Sequence, residues 1–183
     1  MLEIKKTALF NIETILNKMT ISEKQRIAEL GCGNFGFFVF PSARLVGRQG
    51  KVYAVDILKS TLEDIKKQAK KENLPQIEVV WSNLEIFKAT NIETSSLDSA
   101  FLINILHQSE KKVEMLREAI RLLKRGGQLL IIEWKNVDLP FGPSLEKRVK
   151  LDSLRGAVTK LGLEIKEEFE AGPYHYGLIL IKL

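Results

Sequence analysis

Short apolar runs recur along the chain, separated by stretches in which apolar residues return at helical spacing. QRIAEL, KVYAVD, IEVVW, SLDSAFLIN and QLLIIEW read as strands, because each is a brief run rich in β-branched and aromatic residues. Ile12, Ile15, Leu16 and Met19 share one helical face, which predicts an amphipathic helix over 11–19. FFVFPSARLVG is a second helix candidate, with Pro41 best placed in its first turn. Ser60 and Glu63 form a capping box ahead of Leu62, Ile65 and Ala69, and the helix should stop near Asn73 and Pro75. Ser109 is expected to cap a further helix whose Val113, Leu116, Ile120 and Leu123 face inward, with Gly126 and Gly127 ending it.

Strands that alternate with helices imply a parallel sheet covered on both faces. The tail breaks the alternation. After a helix near 152–161, GLEIKEEFE and YHYGLILIKL are joined by the turn AGP, which predicts an antiparallel hairpin at the sheet edge. The expectation is therefore an α/β fold: a doubly wound, mostly parallel, seven-stranded sheet with an antiparallel C-terminal hairpin. No repeat or low-complexity linker divides the chain, so residues 1–183 are read as a single domain. Within it, 1–25 would form a helical cap, 26–134 a ligand-binding core, and 135–183 a substrate-side loop, helix and hairpin.

The first candidate chemistry lies between the first strand and the second helix, in ELGCGNFG. Glycines spaced G-x-G-x-x-G allow the backbone to approach a ligand closely, and the helix behind them offers free N–H groups and a positive dipole end. Asp56 closes the second strand about 20 residues later, where a carboxylate suits the hydroxyls of a ribose. That much fits a dinucleotide and S-adenosylmethionine equally. Glu29, two residues before the first glycine, suits an ammonium better than a pyrophosphate. Ser82 and Asn83 follow the third strand, where an adenine edge would need hydrogen-bond partners. The length also leaves no room for the second, substrate-binding domain common in dinucleotide dehydrogenases.

Composition narrows the classes. Lys and Arg number 28 against 23 Asp and Glu, a net charge of +5 that is spread along the chain. It reads as solvated faces compatible with an anionic substrate rather than as a nucleic-acid track. No apolar run approaches the roughly 20 residues of a membrane span. The N-terminal segment does not read as a secretion signal. Cys32 is the sole cysteine, so no intrachain disulfide can form and a cytoplasmic setting is expected. Its thiol sits in the glycine loop as a small filler rather than a nucleophile. No metal-ligand set is singled out.

ELGCGNFG, KVYAVD, VVWSNLE, LDSAFLINILHQ and LLKRGGQLLIIEW together, in this order and spacing, resemble the class I S-adenosylmethionine-dependent methyltransferases. The resemblance is to the small-molecule branch related to the ubiquinone/menaquinone biosynthesis C-methyltransferases, and it runs from about Arg26 to Trp134 and on through the hairpin. It implies a Rossmann-like fold and S-adenosyl-L-methionine as cofactor. By position, Gly31, Cys32, Gly33 and Gly36 would belong to the loop around the methionine part, with Glu29 near its amino group. Asp56 would bind the ribose, Ile57 and Leu84 would flank the adenine, and Asn83, with Ser82 beside it, would meet the adenine's amino edge. Asn104 would lie near the methyl group and the substrate entrance. Phe35 replaces a small residue often found in the loop and is expected to narrow the cleft.

Methyl transfer from a sulfonium mainly requires alignment, and a base only when the acceptor holds its proton. His107 is the candidate base, since imidazole ordinarily titrates near neutrality; the alternative is a histidine that positions its loop. His175 is read as an edge-strand surface or core residue. Phe141 and Arg148, in the irregular segment after the fifth strand, are candidates to touch the acceptor or to serve only as connector. An Asn/Asp-Pro-Pro-aromatic motif, a downstream nucleophilic cysteine, a cysteine set and a glutamate pair are all missing. That sets aside exocyclic base amines, cytosine C5, arsenite and protein arginine as acceptors. A small-molecule acceptor remains, with its identity and any homodimer left open. Two rivals stand beside this reading: a cofactor-binding module without catalysis, and a dinucleotide-dependent oxidoreductase.

Overall fold

The computed structural model describes residues 10–183. Residues 1–9 lie outside the described residues, and with them the start of the expected N-terminal cap and most of the segment judged not to be a secretion signal. Strands β1 (Arg26–Leu30), β2 (Lys51–Asp56), β3 (Ile77–Trp81), β4 (Leu97–Ile103) and β5 (Leu123–Trp134) run parallel. They are completed by β6 (Leu163–Glu170) and β7 (His175–Lys182), in the order β3-β2-β1-β4-β5-β7-β6. β7 is antiparallel to both β5 and β6, so the expected hairpin is present, with β6 at the edge. The order reverses between β1 and β4, and the C-terminal ends of these neighbours open the crevice in which such sheets bind ligands.

Alternating strand residues feed two separate cores. On one face Ile27, Val52, Ala54, Phe101 and Leu130 pack under α1 (Ile12–Leu16), α2 (Val39–Val46) and α3 (Lys59–Lys71). On the other, Ala28, Leu30, Val55, Leu102 and Ile131 pack under α4 (Lys112–Leu122) and α5 (Leu151–Lys160). Both faces are covered, which is why the central strands read as continuous apolar runs. Pro41 falls in the first turn of α2, as expected. No helix among the described residues is long and apolar enough to cross a membrane.

Helix boundaries and faces depart from the sequence reading in four places. α1 is shorter than 11–19; Asn11 caps it by accepting from the Thr14 N–H at 2.9 Å, and Met19 is buried beyond its end. The capping box is not formed: α3 begins at Lys59 with Leu58 as cap and no side-chain bond, because Asp56 Oδ1 accepts the Leu58 N–H at 2.9 Å and sets the turn two residues earlier. In α4 the buried positions are Met115, Leu116, Glu118, Ala119 and Leu122; Val113 is exposed and Leu123 already belongs to β5. Ser109 lies ahead of α4 and accepts the Lys111 N–H at 2.8 Å, closer to the expected role. Gly126 and Gly127 do not end that helix. They lie within β5, beside an irregularity in the β4–β5 register, where a Cβ on Gly127 would come within 2.9 Å of the Lys124 carbonyl.

The turned face of α4 has a polar reason. Glu118 is fully buried, pairs with Arg121 at 2.7 Å, and accepts N–H groups of Lys88 at 2.8 Å and Thr90 at 3.0 Å. Thr90 Oγ1 in turn meets Ser82 Oγ at 2.9 Å, so this ion pair anchors the segment after β3. Burial alone would raise the Glu118 carboxyl, but the Arg121 guanidinium and the two backbone donors hold it down at about 2, against an ordinary 4.5. Its stabilising effect is therefore complete above 4.5 and lost as pH falls toward 2. Glu118→Gln leaves Arg121 without its charge partner and should cost about 3–5 kcal/mol. The variant is expected to melt roughly 10 °C lower at neutral pH, and to lose less stability than the parent on acidification, both read by calorimetry.

Candidate functional site

The glycine loop is held between two acids. Glu29, next to last in β1, is buried under α2, and its Oε2 accepts the N–H groups of Phe38 at 3.2 Å and Val39 at 2.8 Å, two donors a helix start leaves free. Burial pushes its carboxyl up to about 8; the Val39 and Phe38 bonds oppose this, and Asp56 adds a smaller upward push. Asp56 Oδ2 accepts the Gly33 N–H at 3.0 Å, while its Oδ1 makes the turn into α3. Gly31, Gly33 and Gly36 all have positive φ, but their surroundings differ. A Cβ on Gly31 would strike the Ile105 side chain at 2.8 Å, and one on Gly36 would strike Ile65 at 2.7 Å, so these two serve close packing. Gly33 faces open space, with nothing within 4 Å of a Cβ there.

A cleft of about 250 Å³ lies beside this loop, over the ends of β1, β2 and β3. Gly31, Asp56, Ile57, Ser82, Asn83 and Leu84 all line it, so six of the expected cofactor residues are brought together. Glu85, Ile105, Gln108, Ser109 and Met115 complete it, and no sequence signal marked them as cleft residues. Within the cleft wall, the Ser82 hydroxyl is engaged with Thr90 and the Asn83 Oδ1 accepts the Glu85 N–H at 3.0 Å. Cys32 is buried, and burial first, then Glu29 and Asp56, push its thiol well above the ordinary range, as suits a filler. Phe35 does not narrow the cleft. Its ring turns to solvent, 69% exposed, and stacks near Phe37 with centroids 5.3 Å apart.

A second, more open cleft of about 840 Å³ adjoins the first, and Gln108 belongs to both walls. Asn104 and His107 line it with Trp134, Pro143 and Lys147. Asn104 sits at the end of β4 in a left-handed conformation, φ +52°, and its Nδ2 lies 3.1 Å from His175 Nε2. His175 is fully buried on β7, an inner strand, between the rings of Phe10 and Trp134. Burial first, then the charges of His107, Lys135 and Arg148, lower its pKa to about 4, so it is neutral at physiological pH. Arg148 does not reach the cleft as an acceptor contact. It is buried and donates to the carbonyls of Lys135, Val137, Phe141 and Pro143, stapling the segment after β5. Phe141 is exposed and packs edge-on to Tyr174 and Trp134, outside the cleft lining.

Sequence reasoning missed Glu133. This residue is next to last in β5, is fully buried, and its Oε2 lies 2.9 Å from His107 Nδ1. The available signal was an acid closing the otherwise apolar LLII run of QLLIIEW. Among the described residues no group of His, Cys, Asp or Glu is arranged to hold a metal ion.

The elevated Glu29 carboxyl has a consequence for the free protein. Its folded pKa lies above the ordinary 4.5, so its contribution to stability is complete below 4.5 and is lost as pH rises to about 8. Glu29→Gln keeps an oxygen for the Phe38 and Val39 N–H groups without the buried charge. The variant without ligand is expected to melt at or above the parent's temperature at mildly alkaline pH, with a flatter pH dependence in a thermal shift series.

Residues 21–171 match the family described as a methyltransferase domain. The ubiquinone/menaquinone biosynthesis C-methyltransferase UbiE of Bartonella henselae is 33% identical over 146 residues, 79% of this chain and 52% of that protein. The S-adenosyl-L-methionine-dependent Diels-Alderase iccD of Talaromyces variabilis is 28% identical over 122 residues, 66% of this chain and 40% of its own. The chain thus spans about half the length of the curated relatives it matches. A crystal structure of a SAM dependent methyltransferase from Aquifex aeolicus superposes with a TM-score of 0.85 at 23% identity, covering 96% of this chain and 91% of that one. With the doubly wound sheet, its terminal hairpin and the family match in hand, the chain belongs to the methyltransferase-domain family, with a class I-type fold and sequence similarity to UbiE.

Proposed function

We propose that this chain transfers the methyl group of S-adenosyl-L-methionine to a small-molecule acceptor. The observation that carries the reading is the pair of adjoining clefts at the β1/β4 switch point, one walled by Asp56 and the glycine loop, the other by Asn104 and His107. The residues fit the cofactor chemically. Gly33 leaves free space at the loop, Asp56 keeps unused lone pairs for a ribose diol, and Ile57 and Leu84 offer apolar walls to an adenine. Glu29 would favour the amino group indirectly, as a buried acid under the loop, and the Asn83 amide would be available to the adenine edge. When bound, the cofactor supplies an activated methyl group on sulfur. The chain's residues orient the acceptor beside Asn104, with Trp134 and Pro143 as the apolar part of the wall. In the same proposal, residues 26–134 hold the cofactor and 135–183 the acceptor side, within one domain. The single cysteine suits a cytoplasmic setting.

A second reading, a chain that binds the cofactor without transferring its methyl group, is favoured by the similarity to the Diels-Alderase. It expects binding with no S-adenosylhomocysteine formed in any acceptor screen. Calorimetry with S-adenosylmethionine and S-adenosylhomocysteine tests the main proposal. Both are expected to bind, and Asp56→Ala is expected to weaken them roughly tenfold to a hundredfold through lost charge-assisted hydrogen bonds. Failure of the unaltered protein to bind either, or a rise in melting temperature with NAD instead, refutes it.

A further inference from the structure

We infer that Glu133 is a positioning residue that presents His107 Nε2 as a proton acceptor to the larger cleft, and that the methyl acceptor is accordingly a phenolic or enolic hydroxyl rather than an amine. The inference rests on the methyltransferase reading above. Glu133 Oε1 accepts the Leu106 N–H at 2.7 Å and, more weakly, the His107 N–H at 3.3 Å, while Oε2 faces His107 Nδ1 at 2.9 Å. The backbone donors hold the carboxylate in place, and an ionised carboxylate only accepts. Nδ1 therefore carries a proton toward the carboxylate, and in the neutral ring the lone pair lies on Nε2. The turn Leu106–Gln108 follows β4 directly, which brings the imidazole to the wall of the 840 Å³ cleft with its side chain 12% exposed. Around it, Glu110 and Lys147 line the same cleft, and His175 lies behind Asn104.

That arrangement matters for one class of nucleophile. A neutral amine attacks with a free lone pair and can release its proton afterwards to solvent, whereas a hydroxyl is a weak nucleophile until its proton is removed. In the step inferred, the hydroxyl proton passes to His107 Nε2 and the oxygen's electron pair forms the bond to the methyl carbon. The carbon–sulfur electron pair stays on sulfur, which becomes a neutral thioether. The resulting imidazolium is held by the Glu133 carboxylate and later loses its proton to water.

The chain has only two histidines, so their ring nitrogens can be read separately by nitrogen-15 NMR. In the ligand-free protein at mildly alkaline pH, His107 is expected to be protonated at Nδ1 and bare at Nε2. Glu133→Gln should reverse this: the two backbone N–H groups claim the amide oxygen, its NH2 faces Nδ1, and the proton moves to Nε2. A wild-type His107 protonated at Nε2 overturns the positioning role, and this reading stands even where the variant fails to fold. A folded Glu133→Gln protein without the reversal overturns it as well. In protein saturated with S-adenosylhomocysteine, millimolar phenol is expected to shift the His107 Nε2 signal and aniline to leave it in place. An unmoved signal with phenol, or an equal shift with aniline, overturns the hydroxyl assignment. Absence of S-adenosylhomocysteine binding would instead sink the methyltransferase reading, and the hydroxyl assignment with it, while the tautomer measurement remains independent.

Discussion

A buried carboxylate beneath the first turn of α2 is the interaction on which the site depends. Glu29 lies at the C-terminal end of β1, and its bonds to the Phe38 and Val39 N–H groups tie the strand to the helix across the glycine loop. A carboxylate in that position meets the positive end of the helix, yet it is so far from water that its pKa rises to about 8. The loop is consequently held by a group near the balance between charged and neutral. Asp56 grips the same loop from the β2 side through Gly33. Between them the two acids fix the loop's path before any ligand arrives, so less conformational entropy remains to be lost on binding.

The larger cleft has its own polar support, built from residues far apart in the chain. Asn104 can take its left-handed conformation because its backbone N–H is bonded to the Ile132 carbonyl and its side chain meets His175. Such a conformation is costly for a non-glycine residue and persists when its surroundings determine it. The turn that follows is secured by Glu133, and the wall opposite by Arg148, whose guanidinium gathers four carbonyls of an irregular segment. A long connection without regular hydrogen bonding would otherwise leave those carbonyls competing for water. The site's two halves are thus rigid for different reasons: a helix terminus on one side, and side-chain bonds to backbone on the other.

The sheet was legible in the sequence because its strands are covered on both faces and alternate with helices. Every expected strand is present, and the turn AGP marks the hairpin. The glycine loop and Asp56 were legible because the chemistry is local to strand ends. Helix faces were harder. Val113 looked inward by spacing, but a buried Glu118–Arg121 pair turns α4 toward the segment after β3. The capping box at Ser60 gave way to an aspartate four residues earlier. Arg148 read as an acceptor contact or a connector, and His175 as an edge-strand surface or core residue, because a sequence does not display which polar side chains find buried partners. Glu133 was missed for the same reason: its partner is 26 residues away.

Chemistry of this kind asks little of a general catalyst, since the leaving group on a sulfonium departs easily. What a class I fold must supply is a nucleophile in the right place and, for some acceptors, in the right protonation state. In the proposed reading the cofactor side would be the β1 loop and the β2 acid, whose place at the strand ends suits a single ligand. The acceptor side would be the ends of β4 and β5 and the segment behind them, where a carboxylate, two imidazoles, an amide and an arginine staple are held by contacts of long sequence separation. Specificity can then change by altering the stapled segment without disturbing the loop. In the same reading, the pairing of Glu133 with His107, formed beneath the cleft rather than within that segment, would set which protons the site can accept before the segment decides which molecules enter.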